Sequence, residues 1–338
     1  MTTTTTLAAR ADPPRALQLD APPLLTFLLG RLVRGVGVLV VLSVLAFAMV
    51  RSLPGDPVAN LAGPYSTEAQ RQQLVADLGL DGSLVTQYFS WIGRVLVGDW
   101  GTSVFSGLPT TQLIADRLPN TIELAVAAAL VSVAWGVPAG ALSAQYRGRA
   151  FDTVVRTLTF LGMATPVFAF GVVLVLLFTT YLPAWPTLSF VPFATSPGQN
   201  LASVVLPALA LGLPMGSTIC RFTRSSMLEV YEQDYIRTAL AGGATPLQAT
   251  LRHGLRNAAA PVTTIAGLQL AGLVGHAILI ENVFAIPGIG QLTVTSITQR
   301  DYAVAQAAIL LLGTVYVVMN LIIDALYPVL DPRIGGRR

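Results

Sequence analysis

Lysine is absent from these 338 residues, and all 20 basic side chains are arginine. A phosphate-binding loop of the Gly-x-x-x-x-Gly-Lys-Ser/Thr kind needs its lysine, so this chain holds none. A lysine Schiff base is excluded for the same reason. Cysteine is almost absent too. Cys220 stands alone, so no intrachain disulfide can form, and one Cys with two His is too small a ligand set for a structural zinc site. Charge is the third scarcity: 11% of residues are charged, against roughly 25% in soluble globular domains. The rest is apolar, with 53% hydrophobic residues and a mean hydropathy of +0.66. That composition describes a polytopic membrane protein; apolar runs long enough to cross as helices make the expected fold class all-α, and no nucleic-acid partner is expected.

The apolar residues fall into six runs. Residues 1–23, a Thr tract followed by Pro, Ala and Asp, read as a disordered tail. Arg31 and Arg34 precede the first run, so a secretory signal is the rival to a retained helix. The run begins late and lacks a small-residue cleavage site, which favours a retained first span over 28–51. Arg51-Ser52-Leu53-Pro54-Gly55 stops it. Residues 52–120 form the longest region outside the membrane. A capped helix is expected from Ser66-Thr67 to about Leu78, an amphipathic helix over Tyr88–Val97, and a turn at Gly98-Asp99-Trp100-Gly101. The core, 121–329, holds spans at 124–144, 158–182, 201–220, 262–279 and 304–327, and 330–338 forms a tail. About 20 apolar residues cross a bilayer. Pro166, Pro207 and Pro214 fall inside spans, where neighbouring helices can satisfy the freed carbonyls. Gly136/Gly140 and Gly212/Gly216 have the spacing of close helix crossings.

Arginine sets the expected orientation. With the amino terminus inside, 15 of the 20 arginines lie in cytoplasmic segments. Arg147 and Arg149, set against the charge-free stretch Pro183–Gly198, decide the matter. Both termini are then cytoplasmic, as is the long segment 221–261.

That segment is the most polar of the second half. It reads as two short amphipathic helices broken at Gly242-Gly243, with Leu247, Leu251 and Leu255 sharing one face of the second. Gly243 permits a backbone conformation that a side chain would obstruct. Thr245 or Ala244 is placed to cap the second helix, with Pro246 in its first turn.

The segment resembles the cytoplasmic Glu-Ala-Ala loop of permease subunits of ATP-binding-cassette importers, in their peptide and nickel branch. Tyr235, Arg237, Thr238, Ala239, Ala241, Gly243, His253, Leu255, Arg256, Asn257, Ala258 and Pro261 carry the likeness. Gly242 stands where that branch commonly has Lys, and Ala244 where it has a larger apolar residue. The stretch Arg117-Leu118-Pro119-Asn120-Thr121-Ile122-Glu123-Leu124 extends the resemblance into the first half. So does Glu281-Asn282-Val283-Phe284-Ala285-Ile286-Pro287-Gly288-Ile289-Gly290, followed by Asp301-Tyr302.

The resemblance implies a six-helix permease of the type I importer fold in a bacterial inner membrane, with a small extracytoplasmic domain between helices 1 and 2. It implies a second permease of similar fold, two ATPase subunits and an extracytoplasmic solute-binding protein. This chain would itself carry no cofactor, ATP and Mg being held by the partners, and would be no enzyme. Arg237, Ala239, Gly242, Gly243, Ala244, Thr245, Pro246, His253, Arg256 and Asn257 would couple it to the ATPase. Glu281, Phe284, Pro287, Gly288, Gly290 and Asp301 would form an outer gate, or a hairpin that only packs. No metal site is expected.

Other ionisable groups have plainer explanations. His276 suits an interhelical hydrogen bond, Asp324 an arginine-paired anchor and Cys220 a small packing residue. Trp135, Trp185, Tyr181 and Tyr327 suit interface anchors. The implied solutes are di- and oligopeptides, with nickel chelates and glutathione-like solutes as alternatives. An ion-gradient-driven transporter is the rival from another class. It would normally place paired ionisable groups at mid-membrane, where these spans are nearly charge-free.

Overall fold

The computed structural model describes residues 24–52, 67–77, 82–245, 248, 250 and 254–330. Residues 1–23, 53–66 and 331–338, with Pro246 and His253, lie outside the described residues, as does the side chain of Arg256. Among the described residues the secondary structure is helical, apart from one isolated bridge between Thr102 and Pro109.

The first helix, α1 (Leu24–Ser52), is followed by two short ones, α2 (Glu68–Asp77) and α3 (Leu84–Leu96). Each short helix opens on a cap written in the sequence. Thr67 N donates to Gln70 Oε1 at 2.9 Å while Gln70 N donates to Thr67 Oγ1 at 3.3 Å, a reciprocal box. Ser83 accepts from Thr86 N. α3 lies against α1. Phe47, Trp91 and Leu310 form a buried cluster, and Ser43 and Tyr88 share a hydrogen bond of 2.8 Å.

Two long helices form the centre: α4 (Thr110–Gln145) and α7 (Pro197–Tyr231). With 36 and 35 residues, each extends over about 50 Å, whereas the hydrocarbon core spans only about 30 Å. Both therefore outrun the spans expected from hydropathy. α4 begins at Thr110 rather than near Leu124, and α7 continues past Cys220 to Tyr231.

Four glycines let these helices touch. A Cβ on Gly136 would stand 2.5 Å from Gly216 O, and one on Gly140 would stand 2.4 Å from Cys220 O. A Cβ on Gly212 would meet Ala128 O at 2.7 Å, and one on Gly216 would meet Ser132 O at 2.7 Å. Trp135, expected as an interface anchor, instead sits in this crossing beside Gly216 and the cluster of Ala139, Val155 and Cys220. It lies ten residues before the end of its helix, too far in to mark an interface.

Between them the expected third span, 158–182, is two helices: α5 (Ala150–Ala164) and α6 (Val167–Tyr181), bent by 106°. Thr165 (φ −88, ψ 124) and Pro166 (φ −59, ψ 134) are consecutive extended residues. A proline forces its predecessor out of the helical region, and here no neighbour restores the turn. Pro207 and Pro214, by contrast, stay inside α7.

After α7 come α8 (Asp234–Ala241), α9 (Leu255–Val283), α10 (Ile289–Gln299) and α11 (Tyr302–Leu330). The largest buried cluster joins α4, α7 and α9 through Leu124, Leu206, Leu211, Leu273, Ile280 and Phe284. α1 and α11 pair at the side, where Gly35 meets Val317 and Gly313 meets Leu42. Arg31 Nε reaches Asp324 Oδ2 at 3.1 Å, the arginine partner expected for Asp324. Among the described residues, five helices are long and apolar enough to cross a membrane, or six spans if the bent α5–α6 pair is one.

Candidate functional site

Two polar constructions lie at opposite ends of α9. The first joins α7 to α9. α8 buries Ile236 against its own chain and leaves Tyr235 and Leu240 exposed. Its end is a left-handed cap of defined type. Gly243 N donates to Leu240 O at 3.1 Å, and Ala244 N donates to Ala239 O at 3.1 Å. These two bonds satisfy carbonyls that a helix end would leave bare.

The motif requires positive φ at one position only. Gly243 has φ +92, whereas Gly242 has φ −76 and forms an ordinary turn of backbone. A Cβ on Gly243 would meet nothing within 4 Å, so the requirement for glycine there is conformational rather than spatial.

A capping box follows, and Gln248 and Thr250 are helical. Thr245 N donates to Gln248 Oε1 at 3.0 Å, and Gln248 N donates to Thr245 Oγ1 at 3.2 Å. Thr245 is thus the cap and Ala244 is not. Gln248, which the sequence reading passed over, completes the box, and the Thr-x-x-Gln spacing is its signal.

The segment is then tied back to the bundle. Thr250 is buried, shares a hydrogen bond with Tyr231 at the end of α7, and donates to Gln145 Oε1 at the end of α4 at 3.3 Å. Arg237 pairs locally with Asp234 at 3.8 Å, both side chains in solvent. Such an exposed pair adds little stability. Ala239, through its carbonyl, belongs to the cap, and Asn257 is exposed on the first turn of α9.

Near this end lies a cluster that the sequence reading missed. Asp152, in the first turn of α5, is 1% exposed. Arg224 of α7 grips it with two bonds, Nε to Oδ1 at 2.8 Å and Nη2 to Oδ2 at 3.0 Å. Ser143 Oγ of α4 donates to Oδ1 at 2.6 Å, and Gly148 N donates to Oδ2 at 3.0 Å. One carboxylate therefore fastens α4, α5 and α7. An acid in the first turn of a helix, just after Arg147 and Arg149, was its only trace in the sequence.

The second construction centres on Glu281, fully buried near the end of α9. Thr121 Oγ1 of α4 donates to Oε1 at 2.7 Å, and Gln291 N donates to Oε2 at 3.0 Å. Thr121 also accepts from Ile289 N at 2.8 Å. The carboxylate thus sits at the amino end of α10, where free N–H groups and the helix dipole favour a negative charge.

Space forces the glycines of this turn. A Cβ on Gly288 would stand 2.3 Å from the Glu281 carboxyl carbon, and one on Gly290 would stand 2.4 Å from Ile278 Cα. The sharp turn lies at 284–288, with Ala285 at φ 54, and Ile289 already begins a helix. Asn120 Nδ2 donates to Pro287 O at 2.8 Å, and Arg117 Nη1 donates to Gln291 Oε1 at 3.4 Å. Arg117, Asn120 and Thr121 thus contact the 281–291 hairpin; the sequence showed the stretch but not what it touches. Phe284 is buried in the main cluster.

Asp301 is brought to the same end but not to Glu281. It caps α11 through its carbonyl, which accepts from Ala305 N, and its carboxylate accepts from Ser103 Oγ at 2.6 Å. That bond ties the 99–109 loop to the hairpin. No cluster of three or more potential metal ligands occurs among the described residues.

Known proteins place this architecture. The binding-protein-dependent transport system inner membrane component matches residues 136–336, and the amino-terminal component of the same systems matches 24–125. A probable peptide ABC transporter permease of Sinorhizobium fredii is 37% identical over 308 residues, 91% of this chain and 98% of that protein. The glutathione transport system permease GsiC of Salmonella typhi is 39% identical over 312 residues, 92% of this chain and 99% of its own. Among solved structures, the inward-facing methionine ABC transporter MetNI aligns with a TM-score of 0.52 at 18% identity, covering 65% of this chain and 97% of that one, a likeness of fold. The chain belongs to the family of inner-membrane components of binding-protein-dependent transport systems, and is a multi-pass permease subunit of an ATP-binding-cassette importer.

Proposed function

We propose that this permease carries di- and oligopeptides across the inner membrane, glutathione-like peptides included, between itself and a second permease of similar fold. The α8 segment is the part that couples it to ATP. It faces the cytoplasm with both termini, and it docks on one of two ATPase subunits that bind ATP and Mg. An extracytoplasmic binding protein delivers solute to the opposite end, where the Glu281 hairpin closes the path.

The observation that carries the coupling assignment is the construction of Ala239–Thr250. A left-handed cap runs directly into a capping box, the outer face bearing Tyr235 and Leu240 stays open, and Thr250 fixes the segment to α4 and α7. A solvated connector needs no such rigidity. A chain without lysine cannot supply the P-loop, so hydrolysis falls to other subunits. The solute class rests on the peptide and glutathione permeases that resemble this chain along nearly its whole length.

The test is purification from native membranes followed by reconstitution. Stoichiometric recovery of P-loop ATPases and a second permease, with ATP-dependent uptake of labelled peptides, is the expected result. A lone chain that moves solute without ATP would overturn the proposal in favour of ion coupling.

A further inference from the structure

Of the cavities along α5, two have charged, amide or imidazole side chains in their walls. One, of about 740 Å³, opens beside Arg156, Arg221 and Ser225. The other, of about 490 Å³, lies at the α5–α6 break and is walled by Thr218 of α7 and by Gln269 and His276 of α9. Both are lined by Met163 and Ala164, so they form one groove. It runs from the Asp152–Arg224 end of the bundle to the middle of the spans.

The wall of the second cavity carries the polar side chains of Thr218, Gln269 and His276 among apolar ones such as Met215, Val167, Phe168 and Leu279. No hydrogen bond holds the Gln269 amide or the Thr218 hydroxyl among the described residues, and His276 is exposed. His276 Nδ1 donates to Gly272 O at 2.8 Å, which leaves Nε2 for another partner. The break adds main-chain groups, because α6 starts at Pro166 without a side-chain cap. Hydrocarbon offers partners to none of these. The exposed faces that do suit lipid are apolar: Val172, Val173, Leu176 and Leu177 on α6, and Val36, Val40 and Met49 on α1. The polar strip therefore faces water or a polar molecule.

We propose that this groove is this chain's wall of the solute path. Thr218, Gln269 and His276 are its mid-membrane contacts for an amide-bearing solute, and Arg156 and Arg221 receive the solute carboxylate at the inner mouth. A carboxamide offers two N–H donors and an acceptor oxygen, the complement of a peptide group, and the imidazole stands two helical turns further along the same face of α9. Arg156 and Arg221 are both exposed at the mouth, and neither has an ion-pair partner among the described residues. The assignment rests on the peptide-import reading above.

The experiment uses the reconstituted complex with Cys220→Ser as background. T218C and Q269C are compared with V172C for modification by a charged, membrane-impermeant methanethiosulfonate, with co-purification of the ATPases as the check on assembly. A thiol in hydrocarbon does not ionise, so T218C and Q269C should react at least about tenfold faster than V172C. Replacing Arg156 and Arg221 by Gln should also lower the preference for a free dipeptide over its carboxyl-terminal amide. Rates at Thr218→Cys and Gln269→Cys no faster than at V172C, in a complex that still imports peptide, would overturn the inference and place this face on lipid or on the second permease. A parent complex that assembles, hydrolyses ATP and imports no peptide would instead sink the peptide reading, while the labelling rates would still decide whether the groove is a wet wall.

Discussion

The sharpest demand falls on Gly243. Its φ of +92 lies in the left-handed region, which costs an L-residue about 1–2 kcal/mol. A branched side chain suffers most, because its Cβ substituents crowd the neighbouring backbone. A Cβ itself has room, so the cost is local and leaves the spans intact. A penalty of about 1–2 kcal/mol lowers the population of the ordered turn about 5- to 30-fold relative to alternatives. If the ATPase docks on that turn, Gly243→Val should lower ATP-dependent uptake by a comparable factor while insertion and amount in the membrane stay unchanged. Gly243→Asn should recover much of the loss, because Asn tolerates the left-handed region. Gly242→Ala should be nearly silent: its φ is ordinary, and its Cβ would rest 3.4 Å from the carbonyls of Thr238 and Ala239. The assay is peptide uptake per ATP hydrolysed in proteoliposomes, normalised to assembled complex. Unchanged uptake with Gly243→Val, or an equal loss with Gly242→Ala, would refute the reasoning.

Three other perturbations follow from buried groups. Asp152→Ala leaves the Arg224 guanidinium and the Ser143 hydroxyl without their acceptor; the guanidinium keeps partial access to solvent, so the cost is about 1–3 kcal/mol and the thermal midpoint of the purified complex should fall by a few degrees; a midpoint within a degree of the parent would show the clamp to be dispensable. Thr121→Val strips a donor from Glu281 and an acceptor from Ile289 N, at about 1–3 kcal/mol for each group left unpaired. Amide exchange over 288–292 should then accelerate, and unchanged protection would remove Thr121 from the hairpin's support. Gly140→Ala puts a methyl 2.4 Å from Cys220 O and must separate α4 from α7 at about 1–3 kcal/mol; yield of folded protein in mild detergent checks it, and a normal yield and midpoint would deny the tight crossing.

Much of this was legible because helix chemistry is local. Thr67-x-x-Gln70 announces a helix start by itself, and a Gly-Gly between two amphipathic stretches announces a break. Apolar runs gave the spans, since a bilayer reads composition. Hydropathy marks only the apolar part of a helix, so the expected spans started at 124 and stopped at 220, although α4 starts at Thr110 and α7 continues to Tyr231. The prolines were the second blind spot. Pro166 breaks a helix and Pro207 and Pro214 do not, and the difference lies in neighbours that only the folded bundle supplies. The glycine pairs were visible, but their meeting in one crossing was not. The Asp152–Arg224 and Thr121–Glu281 contacts span 72 and 160 residues, and a single sequence holds no record of such pairing.

These long-range contacts bear on how a push at one end could reach the other. Thr250 fixes the α8 segment to the ends of α4 and α7. Four glycines lock α4 to α7 at a distance that admits no side chain, so the two helices resist sliding. Thr121 then joins α4 to Glu281 and to the amino end of α10, at the far end of the bundle. On the proposed reading, a displacement of the docked segment would move α4 and α7 together and carry the outer hairpin with them. On the same reading the moving element would lie elsewhere, at the 106° bend of Thr165-Pro166. α5 is fastened to α4 and α7 through Asp152, whereas α6 packs by Gly171 against Ile280 and Phe284. Both halves of the broken helix are therefore tied to the same central body, but at opposite ends and through different partners. A change in bend angle between them is a motion that would open or narrow the groove beside Met163 without disturbing the α4–α7 crossing. Only a ligand or nucleotide state that favours one bend over the other could drive it, since equal affinity for both shifts nothing.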